Sequence, residues 1–190
     1  WEVEPIGDAV SVYGGGTPST KEPSFWEGGN NPFCTPRDMS LLKDSIVLET
    51  ERHLTQKGVN NISSGQLPAG TVLMSSRAPI GYLAVAEIHL SVNQGMIGMV
   101  CDGELPNYYV LNWARENMPK INANANGSTF QEISKRNFRP ITAVIPSPNV
   151  LKAFSDYVGP LYQKVASNLR EARTLATIRD ALLPKLLSGE

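Results

Sequence analysis

The sequence predicts a mixed α/β body of the α+β kind, followed by one long coiled-coil-type helix. Three observations carry this. Within residues 149–190, apolar side chains recur in steps of four and three at Phe154, Val158, Leu161, Val165, Ala172, Leu175, Leu182 and Leu186, with Asn168 and Arg179 at the remaining places. Such spacing averages ~3.5 residues, the seam of a helix that packs lengthwise on another. Upstream, short apolar runs alternate with Gly, Pro and Asn clusters, the punctuation of strands and turns. Between the two lies Pro146-Ser147-Pro148, a hinge with Ser147 at the N-cap and Pro148 at the first helical position. The chain therefore divides into a globular unit, 1–146, and a helix, 147–190.

About 33 residues of seam helix span roughly 50 Å at ~1.5 Å per residue, longer than a small domain is wide, so the helix is expected to project. Tyr157, Leu169, Ala176, Ile178 and Leu183 widen the stripe, as a broader contact requires. The alternative is an amphipathic helix lying on its own domain. A lone Asn in a seam fixes register at some cost in stability, which suits Asn168. Pro160, after Gly159, predicts a kink or a restart.

The body reads as follows. Residues 1–12 form a short strand or turn leading into Gly14-Gly15-Gly16-Thr17-Pro18-Ser19, a tight surface loop. That loop lacks both the Gly-Lys-Ser/Thr ending of a P-loop and the spacing of a dinucleotide turn. Phe25-Trp26 beside Gly28-Gly29 reads as a core anchor before a turn, with base stacking as the sharper alternative. Thr35-Pro36 enters a helix. Strands are expected at 45–50, 71–76, 82–86 and 141–145, and the stretch 91–100 is expected to hold Asn93-Gln94-Gly95 and then a strand rich in Met, Ile and Gly. A helical turn is expected at 54–58, closed by Gly58. The segment 106–118 reads as a helix with Val110, Trp113 and Ala114 inward. Residues 121–126 read as a loop, and Ser128 to Gln131 has the spacing of a capping box opening a short helix.

Composition excludes several classes. The chain has 190 residues and starts at Trp1, which suggests an excised or processed piece of a longer protein. No run is long and apolar enough to span a bilayer. Cys34 and Cys101 match no metal spacing, and His53 and His89 lack ligand partners, so no metal and no cofactor is expected. Free thiols suit a reducing, cytoplasmic setting. Residues 1–146 carry 11 Lys and Arg against 14 Asp and Glu, and 147–190 carry six against four. Neither part is the basic body of a free-standing DNA binder, so nucleic acid would be met by a local patch or with a partner's help.

No catalytic set assembles. There is no Gly-x-Ser-x-Gly, and Asn31-Pro32-Phe33 lacks the second proline and the tyrosine of an amino-methyltransferase loop. What remains is Gly- and Pro-rich loops carrying groups suited to phosphates and base edges. The candidate DNA contacts are Thr17, Ser19, Lys21, Arg37, Ser76, Arg77, Asn93, Gln94, Lys135 and Arg136.

Several motifs then follow one another in a specific order. They are Gly15-Gly16-Thr17-Pro18-Ser19, Phe25-Trp26, Gly28-Gly29, Thr35-Pro36 with Asp38, Pro68-Ala69-Gly70, Ser76 to Gly81, Asn93-Gln94, and Gly127-Ser128-Thr129 with Glu132-Ile133. The sequence closes on Leu182-Leu183-Pro184-Lys185-Leu186-Leu187-Ser188-Gly189-Glu190. This series strongly resembles the specificity subunits of Type I restriction–modification systems, across essentially the whole chain. Such subunits usually hold two target-recognition domains and two long helices, so this chain looks like a half-subunit.

The resemblance implies a non-catalytic reader of one part of a bipartite double-stranded DNA site. Its helix would pair antiparallel with a second copy or second half, and would dock methyltransferase (modification) subunits and, through the complex, the restriction subunit. Two rival readings are a recognition domain detached from a DNA methyltransferase chain and a helical scaffold that binds only protein. The first predicts no separate methyltransferase partner. The second predicts no DNA binding even with partners present.

Overall fold

The computed structural model describes residues 1–127 and 131–188, so the expected capping box at 128–131 lies largely outside the described residues. The chain opens with β1 (Glu2–Pro5), α1 (Ile6–Ala9) and β2 (Ser11–Gly14). A 3₁₀ turn (Pro23–Phe25) precedes β3 (Asn31–Cys34), α2 (Pro36–Ser40), β4 (Ile46–Val47), β5 (Arg52–Leu54) and α3 (Gln56–Asn60). Then come β6 (Val72–Ser76), β7 (Ile80–Ala86), β8 (Ser91–Val92) and β9 (Met96–Val100). The order ends with α4 (Asn107–Glu116), α5 (Met118–Ala123), α6 (Lys135–Phe138), β10 (Thr142–Ile145) and α7 (Pro148–Ser188). The α/β class with a long C-terminal helix is therefore the fold.

The main sheet runs β2-β9-β6-β7-β4, antiparallel except for the β4–β7 edge. A second sheet runs β5-β3-β8, and a two-stranded ribbon joins β1 to β10. The main core lies between the first sheet and the helices. There Val72, Met74, Val85 and Ile97 meet Val110, Leu111, Trp113, Ile121 and Phe138. Each such side chain removed from water contributes roughly 1.5–3 kcal/mol. The inward face assigned to α4 holds, with Val110 and Ala114 fully buried and Trp113 nearly so.

The ribbon closes the body. Glu2 faces Ile145 and Pro5 faces Thr142, so the chain's first strand lies beside the strand that precedes the long helix. Tyr109 Oη donates to Val144 O at 2.7 Å and Trp113 Nε1 to Thr142 O at 3.3 Å, tying α4 to this ribbon.

The strand expected after Asn93-Gln94-Gly95 is β9, and the two residues before that break form β8 in another sheet; at the break the Asn93 side chain accepts from Gly95 N at 2.9 Å. Three local expectations are corrected. The stretch 45–50 pairs only at Ile46–Val47. Thr50 leaves the ladder because its hydroxyl accepts from Phe33 N at 3.0 Å and donates to Arg52 O at 2.9 Å. Residues 118–123 form a helix rather than entering a loop, since Pro119 suits a first turn and Ile121 is fully buried. The turn at 54–58 instead starts after Thr55, whose side chain caps Gly58 N, and passes through Gly58. A Cβ at Gly58 would stand 2.5 Å from Phe25 O, so close approach explains that glycine better than a stop signal.

The entry to α2 is as expected. Thr35 and Asp38 form a reciprocal capping box, and Pro36 takes the first helical position. Trp26 and Phe33 pack edge to face at 5.4 Å, as a core anchor should.

Helix α7 begins at Pro148 and continues through both Pro160 and Pro184 with no restart. Pro160 lacks the N–H that would bond Asp156 O, but both residues are exposed, so water can serve that carbonyl. The helix does not simply project. One face, at Leu151, Ser155, Tyr162, Ala166 and Leu169, packs on the body as far as the half-buried Ala176. Tyr162 stacks on Tyr108 with centroids 4.0 Å apart, and Arg170 reaches Glu87 at 2.8 Å. Beyond Ala176 the described side chains are exposed.

The seam residues occupy a second stripe. Phe154 and Val158 are half-buried, and Phe154 packs edge to face on Tyr109 at 5.8 Å. Leu161, Val165, Asn168, Ala172, Leu175, Leu182 and Leu186 are exposed, as is Tyr157. At ~100° per residue this stripe sits about a quarter-turn from the body-facing one. The helix thus holds its own domain with one face and leaves a neighbouring apolar face open.

Candidate nucleic-acid interface

The site is built where the glycine loop meets the break between β8 and β9. Gly15 lies so close to this turn that a Cβ there would be 1.8 Å from Val92 O and 2.5 Å from Asn93 O. Only glycine fits. Gly16 N donates to Val92 O at 3.1 Å, fixing the loop on the turn. Thr17 Oγ1 then donates to Gln94 Oε1 at 2.5 Å, which leaves the Gln94 amide N–H₂ uncommitted to Thr17.

The turn is anchored from below. Asn93 N donates to Cys34 O at 3.1 Å, and Ser76 N donates to Gly95 O at 2.8 Å. Gly95 admits close neighbours, since a Cβ there would stand 3.0 Å from Pro36 Cγ and 3.3 Å from Arg77 Nε. The start of α2, the end of β6 and the β8–β9 turn therefore converge. Arg77 is partly exposed and pairs with Glu132 at 3.4 Å. A surface pair of this kind is worth ~0–1 kcal/mol, enough to orient the guanidinium but little to release it.

The expected contact residues fall into three groups. Thr17, Arg77, Asn93 and Gln94 share this surface, and Lys135 adjoins it, its side chain 3.1–3.3 Å from where a Cβ on Gly14 would be. Arg37 follows Pro36 at the same edge, exposed and paired with Glu51 at 3.3 Å. Ser19 and Lys21 lie on the exposed continuation of the loop, held by Trp26 Nε1 donating to Ser19 O at 3.0 Å. Arg136 is exposed beside Lys135 on α6. Ser76 stands apart, because it is 3% exposed and both its peptide groups are engaged, with Gly95 O and Ile133 N.

Some features had no sequence signal. Glu132, the partner of Arg77, is distant in sequence. Arg139 Nη2 donates to Val12 O at 2.8 Å and holds α6 against β2. The aromatic faces named above as the alternative base-stacking surface carry cations, with Arg52 lying 3.6 Å over the Trp26 ring and Lys57 5.3 Å over Phe25.

Titration adds no reactive centre here. Burial first, then the nearby Asp38 carboxylate, pushes the Cys34 thiol far above its usual range. Burial, then Asp102, pushes Cys101 up to about 12. Among the described residues no group of three or more His, Cys, Asp or Glu side chains is placed to hold a metal ion. No described helix is long and apolar enough to cross a membrane.

The loops gathered on a mixed sheet and the rod beside them define a class. Residues 1–168 match the type I restriction modification DNA specificity domain, and the chain belongs to that family. It is 35% identical over 167 residues to the Type I restriction enzyme MjaIX specificity subunit of Methanocaldococcus jannaschii, covering 83% of this chain and 38% of that one. It is 27% identical over 193 residues to the HindI specificity subunit of Haemophilus influenzae, covering the whole of this chain and 41% of that one. This chain thus spans about two-fifths of the length of these relatives.

Solved structures agree in fold. The S subunit of a Type I restriction-modification system from M. genitalium superposes with a TM-score of 0.70 at 13% identity, covering all of this chain and 46% of that one. The HsdS subunit from Thermoanaerobacter tengcongensis gives 0.62 at 19% identity, covering 97% and 44%.

Proposed function

We propose that this chain is a sequence-specific DNA-recognition unit of a Type I restriction–modification complex, reading one half of a bipartite target and doing no catalysis of its own. The observation that carries this reading is the convergence of Thr17, Gln94, Asn93 and Arg77 on one surface, in a chain of the DNA specificity domain family. Gln and Asn amides match adenine, and an Arg fork matches guanine, in the major groove. Lys21, Arg37, Lys135 and Arg136 would supply phosphate contacts around them.

The body, 1–146, acts as the reader, and the helix, 147–190, as the spacer and docking surface. The open stripe from Leu161 to Leu186 fits a second copy, or the second half of a longer chain, laid alongside. Modification subunits dock on the same assembly, and the restriction subunit joins through them. They also supply the positive charge that a body with more acids than bases lacks. The setting is the cytoplasm, where the DNA is.

Mapping methylated sites in cells expressing the chain with its modification subunits tests the reading. A two-fold pair of identical readers gives an interrupted palindrome. Unrelated half-sites from a homodimer, or no methylation that depends on this chain, contradict it.

A further inference from the structure

A polar cleft of about 490 Å³ opens beside the glycine loop, between α1, β2, the Ser63-Ser64 turn and α6. Two cations line it, Lys135 and Arg139. Neither forms an ion pair with a carboxylate among the described residues. Asp8, exposed on the rim, is the one carboxylate in the lining, so cations outnumber it.

Both cations lie where a glycine makes room. A Cβ on Gly7 would stand 2.7 Å from Arg139 Cβ, and one on Gly14 would stand 3.1 Å from Lys135 Cδ and Cε and 3.3 Å from Nζ. The lysine is exposed, with its stem laid along the strand at Gly14. Ser63 and Ser64 form another wall, and Ser64 Oγ is buried with no hydrogen-bond partner. A buried hydroxyl left without a hydrogen bond is costly, so such an atom calls for a partner. Ammonium and hydroxyl groups present donors, and a phosphate presents only acceptors. The cleft also runs into the candidate reading surface, because Gly14 is followed directly by the loop that carries Thr17 onto Gln94.

We infer that this cleft is a seat for one phosphodiester of the DNA backbone, with Lys135 and the Ser63-Ser64 turn as its contacts and Arg139 as its fixed charge. The inference rests on the DNA-recognition reading and assigns Lys135 to positioning the duplex, not to reading bases. A seat of this kind fixes register while remaining blind to sequence.

The test is the salt dependence of binding to a random-sequence duplex, measured on the full chain from about 50 to about 200 mM salt. Each phosphate contact contributes a slope of ~0.9 in log K against log salt. Lys135→Ala should lower the slope by about one contact and weaken every duplex alike. Lys135→Arg should retain it.

An unchanged slope in Lys135→Ala, with the wild type binding DNA, overturns this inference alone. Saturable binding of inorganic phosphate, with no slope change, assigns the cleft to a free anion and also overturns it. A wild type that binds no duplex at low salt overturns the recognition reading and this inference together.

Discussion

Arg170 on the long helix donates to Glu87 of the body at 2.8 Å, and the same carboxylate accepts from Tyr108 Oη at 3.4 Å. Tyr108 in turn stacks on Tyr162, about two helical turns back from Arg170. A charge pair and a ring pair thus fasten the helix at one spot. The ring stack should matter more, at about 0.5–1.5 kcal/mol beyond its buried area, against ~0–1 kcal/mol for a largely exposed ion pair. Tyr162→Ala is expected to expose the middle of the helix to hydrogen exchange while the sheet core stays protected. Arg170→Ala should do so only weakly. A greater protection loss in Arg170→Ala than in Tyr162→Ala would show that the charge pair is the stronger fastening.

Gly15→Ala should be among the most damaging single changes. The added methyl would enter the Val92 carbonyl, a backbone atom with no room to yield. A loss of at least ~1–3 kcal/mol is expected, read as a lower urea midpoint at constant m. Gly16→Ala, whose nearest neighbour would be Ile62 Cγ2 at 3.9 Å, should fold almost as well as the parent.

Arg77→Ala and Lys21→Ala should separate readout from general attraction. Loss of a base-reading arginine costs about 1–3 kcal/mol against the cognate site and relaxes one position of the target, whereas loss of a phosphate lysine weakens all sequences alike. Comparing binding to a cognate duplex and to single-base variants checks this. An Arg77→Ala protein with uniformly weakened binding would move that residue among the backbone contacts.

Alkaline pH should destabilise the fold through Tyr108 and Cys101. Burial first, then Glu87, raises Tyr108 to about 12, and burial raises Cys101 to about 12. In both cases the folded state holds its proton more tightly than the unfolded chain. Stability is therefore full below the unfolded values, ~8.5 for the thiol and ~10 for the phenol, and declines as pH rises toward 12. Urea midpoints measured between pH 8 and 11 should fall with pH, and native Cys101 should alkylate far more slowly than the urea-unfolded thiol. Flat midpoints across that range would contradict the assignment.

Much of this architecture was legible in the sequence because its signals are local. The Thr35–Asp38 capping box, the inward face of α4 and the start of α7 at Pro148 each follow from residues within one or two turns. The errors have a common origin in distant partners. Gly58 resembled a helix stop but is a point where Phe25 O comes close, and Ser91–Val92 gave no sign of being a separate strand because its partner is the distant β3. For the site, residue chemistry nominated Thr17 and Gln94 separately, although a mutual bond joins them across 77 residues of sequence. Ser76 carried the same polar signal and proved buried. The helix period showed an apolar stripe but not that a second one, a quarter-turn away, already holds the body.

The ribbon of β1 and β10 makes the polypeptide enter and leave the body at one place, immediately before the rod. On the recognition reading proposed above, the segment between Glu2 and Ile145 could be exchanged as one unit. A different body would need an equivalent closing ribbon and surfaces that receive Tyr162 and Arg170, and the helix beyond could stay unchanged.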